Sequence, residues 1–165
     1  MSETRPRPPH FGEEDRELSY GSYLKVPELL SLQHFLSDPP AHDELLFIIV
    51  HQTYELWFKQ LLFELTSARD LMMDGDAHQP KNLLERAHSI ERVMIAQIPV
   101  IESMSPQDFL EFRQHLAPAS GFQSVQFREV EFLSGINLDG ISSAEASVEA
   151  DTSELRARLE VGFGD

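Results

Sequence analysis

Phe47 and His51 stand four residues apart in the apolar run LLFIIVHQTYELWFKQLLFEL, so on a helix they share a face. A histidine in so apolar a stretch must satisfy its ring nitrogens or it destabilises the fold. Its commoner use is as a core residue bonded to a neighbouring hydroxyl. Its sharper use is as the polar tip of a small-molecule pocket, with Phe47 as an apolar wall. Arg113 follows Phe109 by one turn. A guanidinium beside an aromatic ring suits a planar carboxylate held by two parallel hydrogen bonds. The plainer alternative is a surface arginine paired with Glu111 or Glu131. The third candidate is Ala119-Ser120-Gly121-Phe122-Gln123-Ser124, where glycine permits close backbone approach and serines offer hydroxyls. The same six residues could simply be a turn with Ser124 as a helix cap. The sequence places no histidine to activate Ser120, so hydrolase chemistry is not indicated.

The seven histidines are His10, His34, His42, His51, His78, His88 and His115, and none forms a His-x-x-x-His pair. A closed mononuclear metal site is therefore poorly supported. There are no cysteines, which removes disulfides, thiolate ligands, iron–sulfur clusters and a cysteine nucleophile and fits a cytoplasmic protein. The net charge of −15 repels phosphate backbones, so nucleic acid is not an expected partner. No apolar run reaches the ~20 residues that span a bilayer. The polar, proline-rich start lacks the apolar core of an export signal.

The elements that must position these residues read as helices. Residues 1–17 mix Pro, Arg and Glu without apolar periodicity and are expected to form an arm. Pro27 suits the first turn of a short helix running to about Leu36, ended by Ser37-Asp38-Pro39-Pro40. From His42 to Asp74 there is no Pro or Gly, and Leu45, Ile49, Leu56, Leu61 and Leu65 are expected in the buried set of one long helix stopped by Gly75. A second helix is expected from Pro80 to Ser103, with Leu83, Leu84, Ala87, Ile90, Val93, Met94, Ile98 and Ile101 as its stripe and a kink at Pro99. Ser105-Pro106-Gln107-Asp108 starts a helix to about Leu116, and another spans Ser124 to Leu133. After Gly135 the chain turns acidic and small, with a weak helix expected over Thr152 to Val161. Strand signals are almost absent, so the fold class is all-α.

The strings YGSYLKVPELLSLQ, HDELLFIIVHQTYELWFKQLLFEL, MSPQDFLEFRQHLAPASGFQS and QFREVEFLSG, in this order, resemble the tryptophan 2,3-dioxygenase family over roughly Leu18 to Gly135. The resemblance implies a helical bundle of the tryptophan/indoleamine dioxygenase type. It also implies haem b as cofactor, O2 and L-tryptophan or a related indole as substrates, N-formylkynurenine as product, and a homotetramer. His51 is similar to the distal histidine that bonds the indole N–H, and Phe47 to the aromatic wall beside indole and haem. Ile48, Ile49 and Val50 would join them in the substrate pocket. Arg113 is similar to the arginine that pairs with the substrate carboxylate, and Phe109 to its aromatic companion. Ser120 and Gly121 resemble the loop over the haem, and Tyr20 and Tyr23 resemble tyrosines that a neighbouring subunit contributes.

In that family the haem's proximal histidine and a threonine that helps hold the substrate ammonium lie beyond the resembling region. Residues 136–165 contain no histidine, and the resemblance is expected to end at Gly135. The expected organisation is thus an arm over 1–17, a helical domain over 18–135 that is incomplete at its C-terminus, and a divergent acidic tail over 136–165. An incomplete bundle leaves apolar surface bare, so association is expected. The alternative function is a truncated, non-catalytic paralogue that binds an indole amino acid or assembles with a full-length partner.

Overall fold

The computed structural model describes residues 18–76 and 78–135. Among them are seven α-helices and one short 3-10 turn, with no strand. The chain divides into two compact units, one up to His34 and one from Phe35 onward. The arm over 1–17, the acidic tail and its expected helix over Thr152 to Val161 lie outside the described residues.

The first unit holds α1 (Tyr20–Leu24) and α2 (Val26–Leu29). Ser19 caps α1 by accepting from the Ser22 amide, and Lys25, with φ at 54°, turns the chain into α2. Pro27 occupies the first turn of α2 as its fixed φ favours. The helix does not continue to Leu36 as its sequence suggests. The Ser31 hydroxyl donates to the Glu28 carbonyl at 2.7 Å, closing the helix end.

In the second unit the Leu36 and Ser37 amides are committed elsewhere, to the carboxylate of Glu44 at 2.6 and 3.1 Å. The Ser37 hydroxyl donates to the same carboxylate and accepts from the Ala41 amide at 2.8 Å. Glu44 is 1% exposed. Burial pushes its carboxyl up, but the Ser37 hydroxyl, the Leu36 and Ser37 amides and the charge of His115 outweigh that, and the net displacement is below the usual 4.5.

That carboxylate sits in the first turn of α3 (His42–Met73), a helix about 48 Å long at 1.5 Å per residue. Glycine is needed at its end: Gly75 has φ at 85°, its amide reaches Met72 at 3.1 Å, and the Asp76 amide reaches Leu71 at 2.9 Å. Next come α4 (Gln79–Ala96) and α5 (Ile98–Glu102), separated at Gln97. The break follows from Pro99, which has no N–H for the Ile95 carbonyl. Then α6 (Pro106–Leu116) starts on the capping box of Ser105 and Asp108. Last is α7 (Val125–Leu133), capped by Ser124, whose hydroxyl accepts from Phe127 at 3.1 Å.

The α4 helix packs antiparallel along α3: Tyr54 donates to the Met94 carbonyl at 2.8 Å, and Arg86 reaches Glu64 at 2.9 Å. Leu61, Ala87 and Ile90 form the core between them, joined by Trp57, Leu65, Met94 and Val130. The α7 helix runs parallel to α3, with the Phe127 ring 5.5 Å from Phe58 and Gln126 bonded to Glu55. The buried set of α3 differs from expectation. Leu61 is buried and Leu65 partly so, but Leu45, Ile49 and Leu56 are 37%, 45% and 54% exposed. With Phe63 they form a bare stripe on the side of α3 away from α4 and α7. In α4 and α5, Leu84, Val93 and Ile98 of the expected stripe are exposed as well.

Candidate functional site

The face of α3 next to α6 and α7 forms one wall of a cleft of about 570 Å³. Phe47, His51, Tyr54, Glu55 and Phe58 supply this wall at helical spacing, one turn after another. Leu116, Ala119, Ser120, Gly121, Gln123 and Ser124 supply the opposite wall, together with Phe127 of α7. The segment Ala119 to Ser124 holds its own shape. Ser120 accepts from the Phe122 amide at 3.3 Å, and Gln123 returns its side-chain oxygen to the Ser120 amide at 3.0 Å. At Gly121 a Cβ would meet nothing within 4 Å, so the loop presents open space rather than a packed surface there.

His51 is exposed, and its Nδ1 lies 2.8 Å from the carbonyl oxygen of Phe47. It is neither buried nor bonded to a hydroxyl, so the core-residue use does not apply. A carbonyl only accepts, so Nδ1 carries the proton, and Nε2 of the neutral ring is left as an acceptor. The imidazole lies against Phe47, with ring centroids 4.1 Å apart. Phe47 in turn stacks on Phe109 at 5.7 Å and meets the fully buried Phe112 edge-on at 5.5 Å. Arg113 lies over the Phe109 ring, 5.3 Å from its centroid. It forms no ion pair among the described residues: Glu131 pairs instead with Arg128, at 2.6 Å. The guanidinium is thus uncommitted, and the aromatic stack Phe47–Phe109 links it to the imidazole.

Phe47, His51, Ser120 and Gly121 therefore come together in one cleft, with Phe109 and Arg113 beside it. Ile48, Ile49 and Val50 do not line it: Val50 is buried at 5% exposure, and Ile49 belongs to the bare stripe. Tyr20 and Tyr23 are exposed and lie in the other unit. Sequence reasoning did not single out Tyr54, Glu55, Phe58, Leu116 or Phe127 for the cleft. The first three were legible in principle, because they continue the spacing of Phe47 and His51. Tyr54 is raised above its usual range by burial, consistent with its hydroxyl serving as a structural donor.

Among the described residues no three His, Asp or Glu side chains gather to hold a metal, and no helix is long and apolar enough to cross a membrane. The cleft walls are mostly apolar and suit one face of a flat macrocycle. Of the described residues lining the cleft, His51 supplies the sole imidazole.

The sequence profile of the tryptophan 2,3-dioxygenase family matches residues 8–146. The likeness thus extends beyond the span from about Leu18 to Gly135 expected from the quoted strings. A tryptophan 2,3-dioxygenase of Nocardioides sp. is 65% identical over 129 residues, covering 76% of this chain and 48% of the relative. One of Herpetosiphon aurantiacus is 51% identical over 118 residues, covering 72% and 45%. One of Anopheles gambiae is 46% identical over 135 residues, covering 77% and 34%. The chain spans about a third to a half of the length of these curated relatives. It belongs to the tryptophan 2,3-dioxygenase family.

Proposed function

We propose that this chain forms the substrate side of a haem-dependent dioxygenase site that opens the indole ring of L-tryptophan to N-formylkynurenine. The observation that carries the reading is the pairing, across one aromatic stack, of an uncommitted guanidinium with an imidazole whose free nitrogen is an acceptor. An amino acid with an indole side chain matches both ends. Its carboxylate accepts two parallel hydrogen bonds from Arg113, and its indole N–H donates to Nε2 of His51. Phe47, backed by Phe109, forms an apolar wall on one side of the ring and excludes water from it. Haem b bound in the cleft, against Phe47, Ser120 and Gly121, would supply the O2 chemistry. The chain's own contribution is orientation: it fixes the substrate at two points and holds the His51 tautomer through the Phe47 carbonyl. We place it in the cytoplasm as a homo-oligomer, tetrameric as the family resemblance implies, with Tyr20 and Tyr23 reaching a neighbouring subunit.

A second reading is favoured by the single imidazole of the described cleft: a non-catalytic module that binds an indole amino acid, alone or packed with a full-length paralogue. A visible absorption spectrum after haem addition separates the two. A sharp Soret band that shifts with L-tryptophan, followed by N-formylkynurenine formation, supports the enzyme. The broad spectrum of loosely held haem, with L-tryptophan still bound, supports the module. No tryptophan binding in either state overturns both.

A further inference from the structure

Two residues that the tryptophan site does not use directly tie its walls together. Gln126 is the second residue of α7, immediately beyond the loop that forms the far wall of the cleft. Its side-chain amide donates to the main-chain carbonyl of Glu55 at 3.0 Å and to the Glu55 carboxylate at 2.7 Å. Glu55 lines the near wall on α3, one turn after His51. The clip joins positions 71 residues apart in sequence. It joins the imidazole-bearing face to the Ser120–Ser124 loop through two bonds, one of them charge-assisted. The neighbouring rings, Phe58 and Phe127, sit 5.5 Å apart and add an apolar contact at the same junction. The amide adds two directional bonds to that contact.

We infer that Gln126 is a positioning residue for the tryptophan site: by gripping Glu55 it sets the width of the cleft and so the place of His51 relative to the opposite wall. The inference rests on the reading of the cleft given above. It follows that the donor matters, and not merely the bulk. Gln126→Glu keeps size and shape but sets two carboxylates face to face. Such a pair repels when both are ionised and is rejoined when they share one proton. The clip then becomes pH-dependent in the variant alone. Gln126→Glu combined with Glu55→Gln reverses donor and acceptor and restores the bond.

The test is calorimetric titration of the whole chain with L-tryptophan at pH 8 and pH 5. Each variant is compared with the unaltered protein at the same pH, with circular dichroism as a check of helix content. We expect Gln126→Glu to weaken L-tryptophan on the order of tenfold at pH 8, as loss of a charge-assisted bond implies, and to recover most of it at pH 5. The double variant should match the unaltered protein at each pH. Unchanged affinity at both pH values overturns the positioning role. So does a loss that neither acid nor the double variant repairs, since that is ordinary damage to the fold. His51→Ala serves as the reference: if it too leaves L-tryptophan affinity unchanged, the reading of the cleft itself falls and takes the positioning role with it.

Discussion

Removing the guanidinium of Arg113 should cost affinity in proportion to what the ligand offers it. Its Cζ lies 5.3 Å from the centroid of Phe109, and no described carboxylate pairs with it. A ligand carboxylate therefore displaces water rather than a competing ion pair, so the binding gain is not offset by a broken bridge. The side chain is exposed, which screens the interaction and places it at the low end of charge-assisted bonds. About 2 kcal/mol is expected for Arg113→Ala, or roughly thirtyfold in Kd. The assay is calorimetric titration with two ligands, L-tryptophan and tryptamine, which share the indole and ammonium and differ in the carboxylate. L-tryptophan should weaken by that factor while tryptamine stays within about twofold, since truncation removes no contact it makes. Arg113→Lys keeps the charge but not the planar fork and should recover only part of the loss. Equal losses for both ligands would mean that Arg113 shapes the fold around Phe109. No loss for either would remove the carboxylate site from the argument altogether.

Glu44→Gln should destabilise the chain by about 2–3 kcal/mol in urea unfolding at neutral pH, because three donors lose a charged acceptor in a buried setting. The folded carboxyl lies below 4.5, so its contribution is present above that value and is lost as pH falls through the folded value. The gap between the unaltered protein and Glu44→Gln should therefore close in acid; a gap that is constant down to pH 3 would assign the loss to packing. The bare stripe of Leu45, Ile49, Leu56 and Phe63 should drive association. Light scattering across dilution should give masses above the monomer and a lower mass for Phe63→Glu, and a clean monomer at every concentration would contradict this.

Local chemistry decided what could be read from the sequence. The bounds of α3 and α6 were legible because punctuation sets them. No Pro or Gly interrupts His42 to Met73, Gly75 takes the left-handed turn, and Ser105-Pro106 opens α6 with its own cap. The end of α2 was not legible, because Leu36 and Ser37, where the sequence suggests the helix ends, give their amides to a carboxylate further along the chain. A helix pattern of four residues cannot compete with Glu44, which takes both the Leu36 and Ser37 amides. The facing of α3 was hidden for a different reason. Its run is apolar around most of its circumference, so periodicity carries no phase, and Leu56 and Leu61 look equally buried until α4 and α7 choose a side.

The same distinction runs through the site. Phe47 and His51 are a helical pair, and spacing alone put them on one face. That spacing also separates them from Ile48, Ile49 and Val50, which the resemblance places in the substrate pocket. For Arg113 the sequence leaves open a ligand or a surface pair with Glu111 or Glu131, and the structure gives Glu131 to Arg128. The clip between Glu55 and Gln126 leaves no trace in one sequence: a glutamate and a glutamine on two helices are ordinary surface residues until packing brings them within 2.7 Å. Side chains that meet a ligand from one helix can thus be found by period. Those that hold two walls at a fixed distance cannot, because the distance is a property of the packing and not of either element.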